Sequence, residues 1–324
     1  MLLKIFKTNP LLLLIFGIAF CIGLWAAIVL RPVEISHPYT DVTLLAPFFD
    51  WIHSFPLVKE ILGFATLLLM ASMWNRIITR HTLLGNSTWL PFFFMIVLLS
   101  CRDSLIGFYP ALASSLFLVI FLDRLISSYK KERALGDIFD SGLFVGIATL
   151  FYIPSMVFLV LLWIGLFTIR SINWREWLCS VIGFLIPFAF TFTYNLVFFP
   201  AYPWYNKIMS EFQYHTPHFS FSWEQITMIV IIALIAIRGL WFYVNKIMDN
   251  VVKTQRFWTV ILWFLLIALG SVLICPVKDS RAFSIFAIPG SFVLAVYFLK
   301  TKAKFIPELL FLSLLAGVII SMFF

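Results

Sequence analysis

The chain reads as an all-α, polytopic transmembrane protein, and three observations carry that reading. Of its 324 residues 62% are hydrophobic and only 12% charged, and the mean hydropathy is +1.03. Soluble domains carry about twice that charged fraction. Apolar runs of about 17–22 residues recur from end to end, each long enough for a hydrocarbon core of roughly 30 Å. Nothing between them is long or polar enough to fold separately, so residues 1–324 are expected to form a single integral membrane domain.

The first run, residues 10–30, follows Lys4 and Lys7 like a signal peptide. It is long, however, and no small-residue cleavage site precedes Arg31, so it is expected to stay as a span with a cytoplasmic N-terminus. Residues 31–56 make a first polar loop. In its second half Val42, Leu44, Leu45, Phe48, Phe49 and Ile52 alternate with Asp41, Asp50 and His53. That spacing predicts a short amphipathic helix in the membrane interface, with Trp51 at headgroup depth.

Spans are expected at 57–78, 87–100 and 105–122, ahead of the most charged stretch, Asp123 to Asp137. The longest apolar run, 139–170, holds Ile153-Pro154 at its middle. Further spans fall at 177–198, 225–244, 257–275, 283–299 and 306–324, with polar loops at 199–224 and 276–282. No repeat period and no low-complexity linker interrupts them.

Whether residues 139–170 cross once or return decides the sidedness of everything downstream. If the run is a hairpin broken near Pro154, every Lys and Arg except Arg31, Lys59, Arg102, Lys207, Lys278 and Arg281 lies on the cytoplasmic side. A straight crossing makes the split nearly even. The positive-inside bias selects the hairpin, and proline, which removes a backbone donor and disfavours helix before it, supplies the break. The expected layout is about nine full spans plus a Pro-broken hairpin. It puts loops 31–56, 199–224 and 276–282 together on the outer, periplasmic face of a bacterial inner membrane.

The net charge of +8 would suggest nucleic acid in a soluble protein. Here the basic residues sit in short loops between apolar runs, where they orient the chain, and no nucleic-acid partner is expected. Cys21, Cys101, Cys179 and Cys275 are scattered singly, without the spacing of a zinc site or an evident disulfide.

The middle of the chain, FDSGLFVGIATLFYIPSMVF followed by LFTIRSINWREWLCSVIGFLIPF, resembles an uncharacterised family of inner-membrane proteins from Bacteroidota. The matching residues are Phe139, Gly142, Gly146, Pro154, Arg170, Trp174, Arg175, Glu176, Gly183 and Pro187. The resemblance implies organisation and no particular chemistry. Related families carry a carotene-oxygenase label, but such chemistry needs histidines within the fold, and all five here (His37, His53, His81, His215, His218) are expected in loops. In layout the chain also resembles the GT-C superfamily of polyprenyl-phosphate-sugar glycosyltransferases: many spans, a first outer loop with an interfacial helix and an acidic residue, and a glycine-rich middle pair. That resemblance implies sugar transfer from a polyprenyl-phosphate carrier. The alternative is a non-catalytic or transporter-like membrane subunit in envelope biogenesis.

On the enzymatic reading a carboxylate at the surface takes the proton of the attacking hydroxyl. Asp41 stands where that base is needed, with Asp50 and Glu34 as alternates; the plainer role of Asp41 is a helix N-cap. Lys59, Arg102, Lys278 and Arg281 are candidates for gripping a lipid phosphate, or else basic side chains snorkelling to the surface. His215 and His218 are weak candidates for a divalent cation, their spacing lacking the usual helical ligand pattern. No cofactor beyond such a cation is implied. Membrane lipid is the expected partner, and nothing in the sequence points to a protein partner.

Overall fold

Proline sets where many of the helices begin, because its missing N–H costs nothing in a first turn. The computed structural model describes residues 9–29, 45–85, 87–102, 105–170, 173–198, 223–247, 251–274, 280–301 and 305–323. Among these the regular structure is entirely helical. Helix α1 is Pro10–Val29, α2 Ala46–His53, α3 Pro56–Arg80, α4 Leu90–Leu99 and α5 Pro110–Ser127. Then come α6 Leu135–Phe151, a 3-10 segment Ile153–Val157, and α7 Phe158–Ile169. Helices α8 Trp174–Phe198, α9 Trp223–Ile247 and α10 Val252–Ile274 follow. A second 3-10 segment, Ser280–Phe286, leads into α11 Ala287–Lys300, and α12 is Phe305–Phe323.

Among the described residues five stretches are long and apolar enough to cross a membrane: Pro56–Arg80, Pro110–Ser127, Trp174–Tyr194, Val252–Ser271 and Arg281–Lys300. Leu11–Ala26, Leu90–Leu99, Ile153–Ile169, Ile232–Asn245 and Phe305–Ile320 are shorter apolar helices. Exposed Leu, Ile and Phe on α1, α8, α9 and α12 give these helices apolar outer faces that contact lipid.

The run through Pro154 goes out and comes back. At one end Arg124 of α5 pairs with Asp140 near the start of α6 (3.4 Å), and Arg170, just after α7, donates to the Ser128 and Lys131 carbonyls beyond α5 (2.6 and 2.9 Å). At the other end Ser155 of the 3-10 segment meets Ser114 in the early turns of α5 (2.6 Å). The two arms pack little on each other. Helix α6 lies between α5 and α8, whereas α7 lies against α10.

Helices α6 and α8 approach each other closely, and glycine permits it. Gly142 sits on the Ser180 carbonyl, Gly146 on that of Phe184, and Gly183 on that of Phe139, so each chain's backbone lies in the other's groove. This is small-residue packing of the kind that brings membrane helices together without a hydrophobic driving force. Pro187 completes it by resting against Gly146.

Arg170 locks the same region from its end. Its guanidinium takes both oxygens of Glu176 in the first turn of α8 (3.0 and 2.9 Å) while holding the two carbonyls beyond α5. Glu176 is buried and Arg170 partly so, and the fork geometry of arginine suits both tasks. Arg80 against Asp123 (3.7 Å) and Lys131 against Asp137 (2.6 Å) add further ion pairs at this end, and His81 Nε2 lies 3.8 Å from the same Asp123 carboxylate.

The rest of the bundle is closed by aromatic contacts. Trp258 stacks on Tyr243 (4.6 Å, 6°), donates to the Leu83 carbonyl (3.0 Å), and meets Phe292 edge-on. Trp74 of α3 donates to Ser291 of α11 (3.1 Å). Helix α4 lies inside, covered by α1, α3 and α11, with Phe93 and Phe94 both against Phe311 of α12.

Two substitutions test these supports. Gly142→Leu forces α6 off α8 and should cost about 1–3 kcal/mol, read as a lower thermal midpoint of the detergent-solubilised chain. Arg170→Ala leaves Glu176 buried and unpaired, at a cost of about 3–5 kcal/mol. Adding Glu176→Gln to it should recover part of that loss in the same melt.

Candidate functional site

The end of the bundle opposite Arg170 is built on one tight loop. Gly107 has φ +98, a conformation that glycine adopts without strain. The loop therefore turns directly onto α3, where the Phe108 amide donates to the Lys59 carbonyl (3.0 Å). Gly63 makes room for it, since a Cβ there would strike the Gly107–Phe108 backbone. The Lys59 stem lies along Gly107, its Cε 3.0 Å from where a Cβ would stand.

Tyr109 follows, fully buried, as the residue before α5. Over its ring, at 6.0 Å, stands the guanidinium of Arg281 from the second 3-10 segment. Arg281 is only 6% exposed. Lys59 and Arg281 therefore flank the same turn, one on Gly107 and the other on Tyr109. Residues from α3, the Gly107 loop, the start of α5 and the second 3-10 segment thus converge.

Both 3-10 segments dock on the first turns of α5 through serine pairs. Ser114 bonds Ser155 and Ser115 bonds Ser284 (2.6 and 3.4 Å), and all four are fully buried. Non-helical backbone at membrane depth is tolerated where protein covers it or where it lines a polar cavity. Here it is covered and tied down.

Helix α2 rests on this end. Phe49 stacks on Phe108 (5.6 Å, 16°) and meets Phe151 at the end of α6, while Phe48 and Trp51 face outward. Its eight residues begin at Ala46. Two buried positions beside two exposed aromatics give the amphipathic helix that the loop's spacing predicts.

Of the sequence candidates, the structure brings Lys59 and Arg281 together. Arg102 lies in the turn after α4, half-buried, its carbonyl accepting from Leu105 (3.0 Å). Glu34, Asp41, Lys278, His215 and His218 lie outside the described residues, as does the side chain of Asp50. Among the described residues no three His, Cys, Asp or Glu gather as a metal site would require. Burial pushes the Cys101 thiol up to about 11, the state of an unreactive thiol.

Two residues of this end escaped sequence reasoning. Glu60 carried a signal: it shares the spacing of Gly63, Leu67, Met70 and Trp74, the face of α3 that turns inward. Tyr109 carried none beyond its place before a proline.

The fold and this end together define an all-helical protein with several helices fit to cross a membrane and two cations brought together at one polar end. Over residues 41–324 the sequence matches a family of unknown function (DUF6427), and the chain belongs to that family. No curated protein and no solved structure matches it.

Gly107→Ala tests the loop. The new methyl meets the Lys59 stem and strains a positive φ, so the variant should lose about 1–3 kcal/mol of stability, read as a lower melting midpoint, with faster proteolysis after Arg102.

Proposed function

We propose that the chain is a multi-pass protein of a bacterial inner membrane that holds a phosphate-bearing lipid headgroup at the end where Lys59 and Arg281 meet. The observation that carries this is the convergence of two basic side chains on one turn, Lys59 lying along Gly107 and Arg281 buried over the Tyr109 ring. Basic side chains gathered at headgroup depth attract a lipid phosphate. A phosphate is the anion that a membrane supplies at this depth. The distribution of Lys and Arg supports a cytoplasmic N-terminus, about nine crossings besides the hairpin, and a periplasmic Lys59 end.

On this reading the protein is a GT-C-like transferase that uses a polyprenyl-phosphate sugar. Lys59 and Arg281 hold the phosphate, with Lys278 and Arg102 as further candidates. Asp41 takes the proton from an acceptor hydroxyl as its oxygen attacks the anomeric carbon, and the polyprenyl phosphate leaves with the electrons of the broken C–O bond. The resemblance in layout, with α2 lying over the same end, supports the assignment.

In nanodiscs holding the full chain, Lys59→Ala should weaken retention of polyprenyl phosphate about tenfold, the worth of one partly buried charge contact. Equal retention by variant and parent, measured by native mass spectrometry, removes the phosphate site. With radiolabelled polyprenyl-phosphate sugar and membrane acceptors, Asp41→Asn should abolish transfer and leave retention intact. Transfer that persists in Asp41→Asn takes Asp41 out of the mechanism. Retention with no transfer by the parent chain makes the protein a non-catalytic lipid-holding subunit.

A further inference from the structure

A second group of basic side chains gathers at the Arg170 end, where α5 and α7 stop and α10 starts. Lys130 Nζ stands 5.6 Å from the centre of the Tyr129 ring, and the Arg256 guanidinium 5.9 Å from the same ring. Lys253 Nζ is 5.8 Å from the centre of Phe257, and the Tyr129 and Phe257 rings meet edge to face at 5.4 Å. Three cations are thus held on two touching rings, and all three are exposed. Aromatic faces hold a cation without neutralising it.

The frame around them is fixed. Arg170 takes the Ser128 and Lys131 carbonyls, on either side of Tyr129 and Lys130 (2.6 and 2.9 Å). Arg256 gives one donor to the Ile169 carbonyl at the end of α7 (3.2 Å) and keeps the rest of its fork. The carboxylates nearby are engaged elsewhere: Asp123 with Arg80, Asp140 with Arg124, Asp137 with Lys131, Glu176 with Arg170. Glu132, exposed on the same loop, forms no ion pair among the described residues, and neither do Lys130, Lys253 and Arg256.

Two further features run against this charge. Lys130 has φ +57, the left-handed conformation that glycine or asparagine usually supplies after a helix. Lys253 stands in the first turn of α10, which contains no acid, where the helix dipole disfavours a cation. An anion over the group offsets both the mutual repulsion and the dipole. Exposed apolar surface adjoins it: Val252, beside Lys253, is 59% exposed, and Phe167, two residues before Ile169, is 65% exposed. Positive charge next to outward apolar side chains at the ends of membrane helices matches an amphiphile with an anionic head.

We propose that Lys130, Lys253 and Arg256 bind the phosphate of an anionic phospholipid, phosphatidylglycerol or cardiolipin, whose acyl chains run along the outer side of α7 and α10. Phosphatidylethanolamine is disfavoured, because it brings an ammonium beside its phosphate into a group of cations with no carboxylate to receive it. The site lies at the end opposite Lys59 and does not depend on the reading given for that end.

The test is a lipid titration of the full chain in detergent, read by native mass spectrometry, with phosphatidylglycerol, cardiolipin and phosphatidylethanolamine of matched chains. The parent should bind at least one anionic lipid about tenfold more tightly than phosphatidylethanolamine. Cardiolipin ahead of phosphatidylglycerol assigns two phosphates to the group, and equal binding assigns one. Lys130→Gly removes a charge while suiting φ +57, so its lipid-free melting midpoint should equal or exceed the parent's. Lys253→Gln changes an exposed side chain and should leave that midpoint unmoved. Each should weaken anionic lipid about fivefold, the worth of one basic residue at an anionic surface, and the double variant more than tenfold. Affinity for phosphatidylethanolamine should stay as in the parent.

No anionic preference in the parent, or one unchanged in the folded double variant, overturns the proposal and leaves these cations the task of orienting the chain. Equal weakening of all three lipids assigns them a structural role and overturns it too. A preference lost in Lys59→Ala but kept in the double variant places the anionic lipid at the other end, against this site. Inorganic phosphate at millimolar concentration should leave the lipid bound; complete displacement identifies a site for free phosphate and overturns the lipid assignment.

Discussion

Arg170 is the point through which the middle of the molecule is held together. One guanidinium closes the end of α7, the first turn of α8 and the chain beyond α5, using donors in two directions. A lysine has the charge but not the fork, and cannot grip a carboxylate with two donors while bonding two carbonyls. With α8 fixed at its first turn, its small residues meet those of α6. The glycine contacts along α6 and α8 then continue a register that the ion pair sets. Helix α7, held at the same node, is directed away from α6 and onto α10.

The two polar ends use charge differently. Around Arg170 cations meet carboxylates: Arg80 with Asp123, Arg124 with Asp140, Lys131 with Asp137. These are fastenings, and several are exposed enough to contribute little one by one. At the Lys59 end Lys59 and Arg281 flank one glycine turn, and Glu60 has an oxygen without a donor among the described residues. Pairs of opposite sign explain themselves by what they join. The basic residues of the other end are placed instead by a glycine turn and a 3-10 segment.

Much of the architecture was legible because membrane helices declare themselves by composition. Apolar length alone marks Pro56–Arg80 and Val252–Ile274, and the helical class follows from the bilayer's demand that backbone groups be bonded internally. Pro154 falls where the 3-10 segment begins, and the expectation of an uncharacterised family agrees with the family of unknown function that the chain belongs to. Distances between elements were not legible. Lys59 and Arg281 are separated by most of the chain, and only packing of the Gly107 loop and the second 3-10 segment shows them to be neighbours. Glu60 was hidden by a different cause: hydropathy averages over a window, and one acid in the first turns of a long apolar helix barely lowers the mean.

Helix α4 has a consequence for how the protein is made. Its ten residues span only about 15 Å, half of a hydrocarbon core, and all but one are buried. Such a segment is a poor substrate for insertion on its own, since it reaches neither surface unaided. Its neighbours α1 and α3 are synthesised before or beside it, but α11 and α12, which cover Phe93 and Phe94, emerge some two hundred residues later. During synthesis the first part of the bundle therefore carries an open flank, and the last helices to leave the ribosome act as its closing staves. A nascent chain halted before Ala287 would hold every group of the Arg170 node and still lack the wall that makes α4 an interior helix.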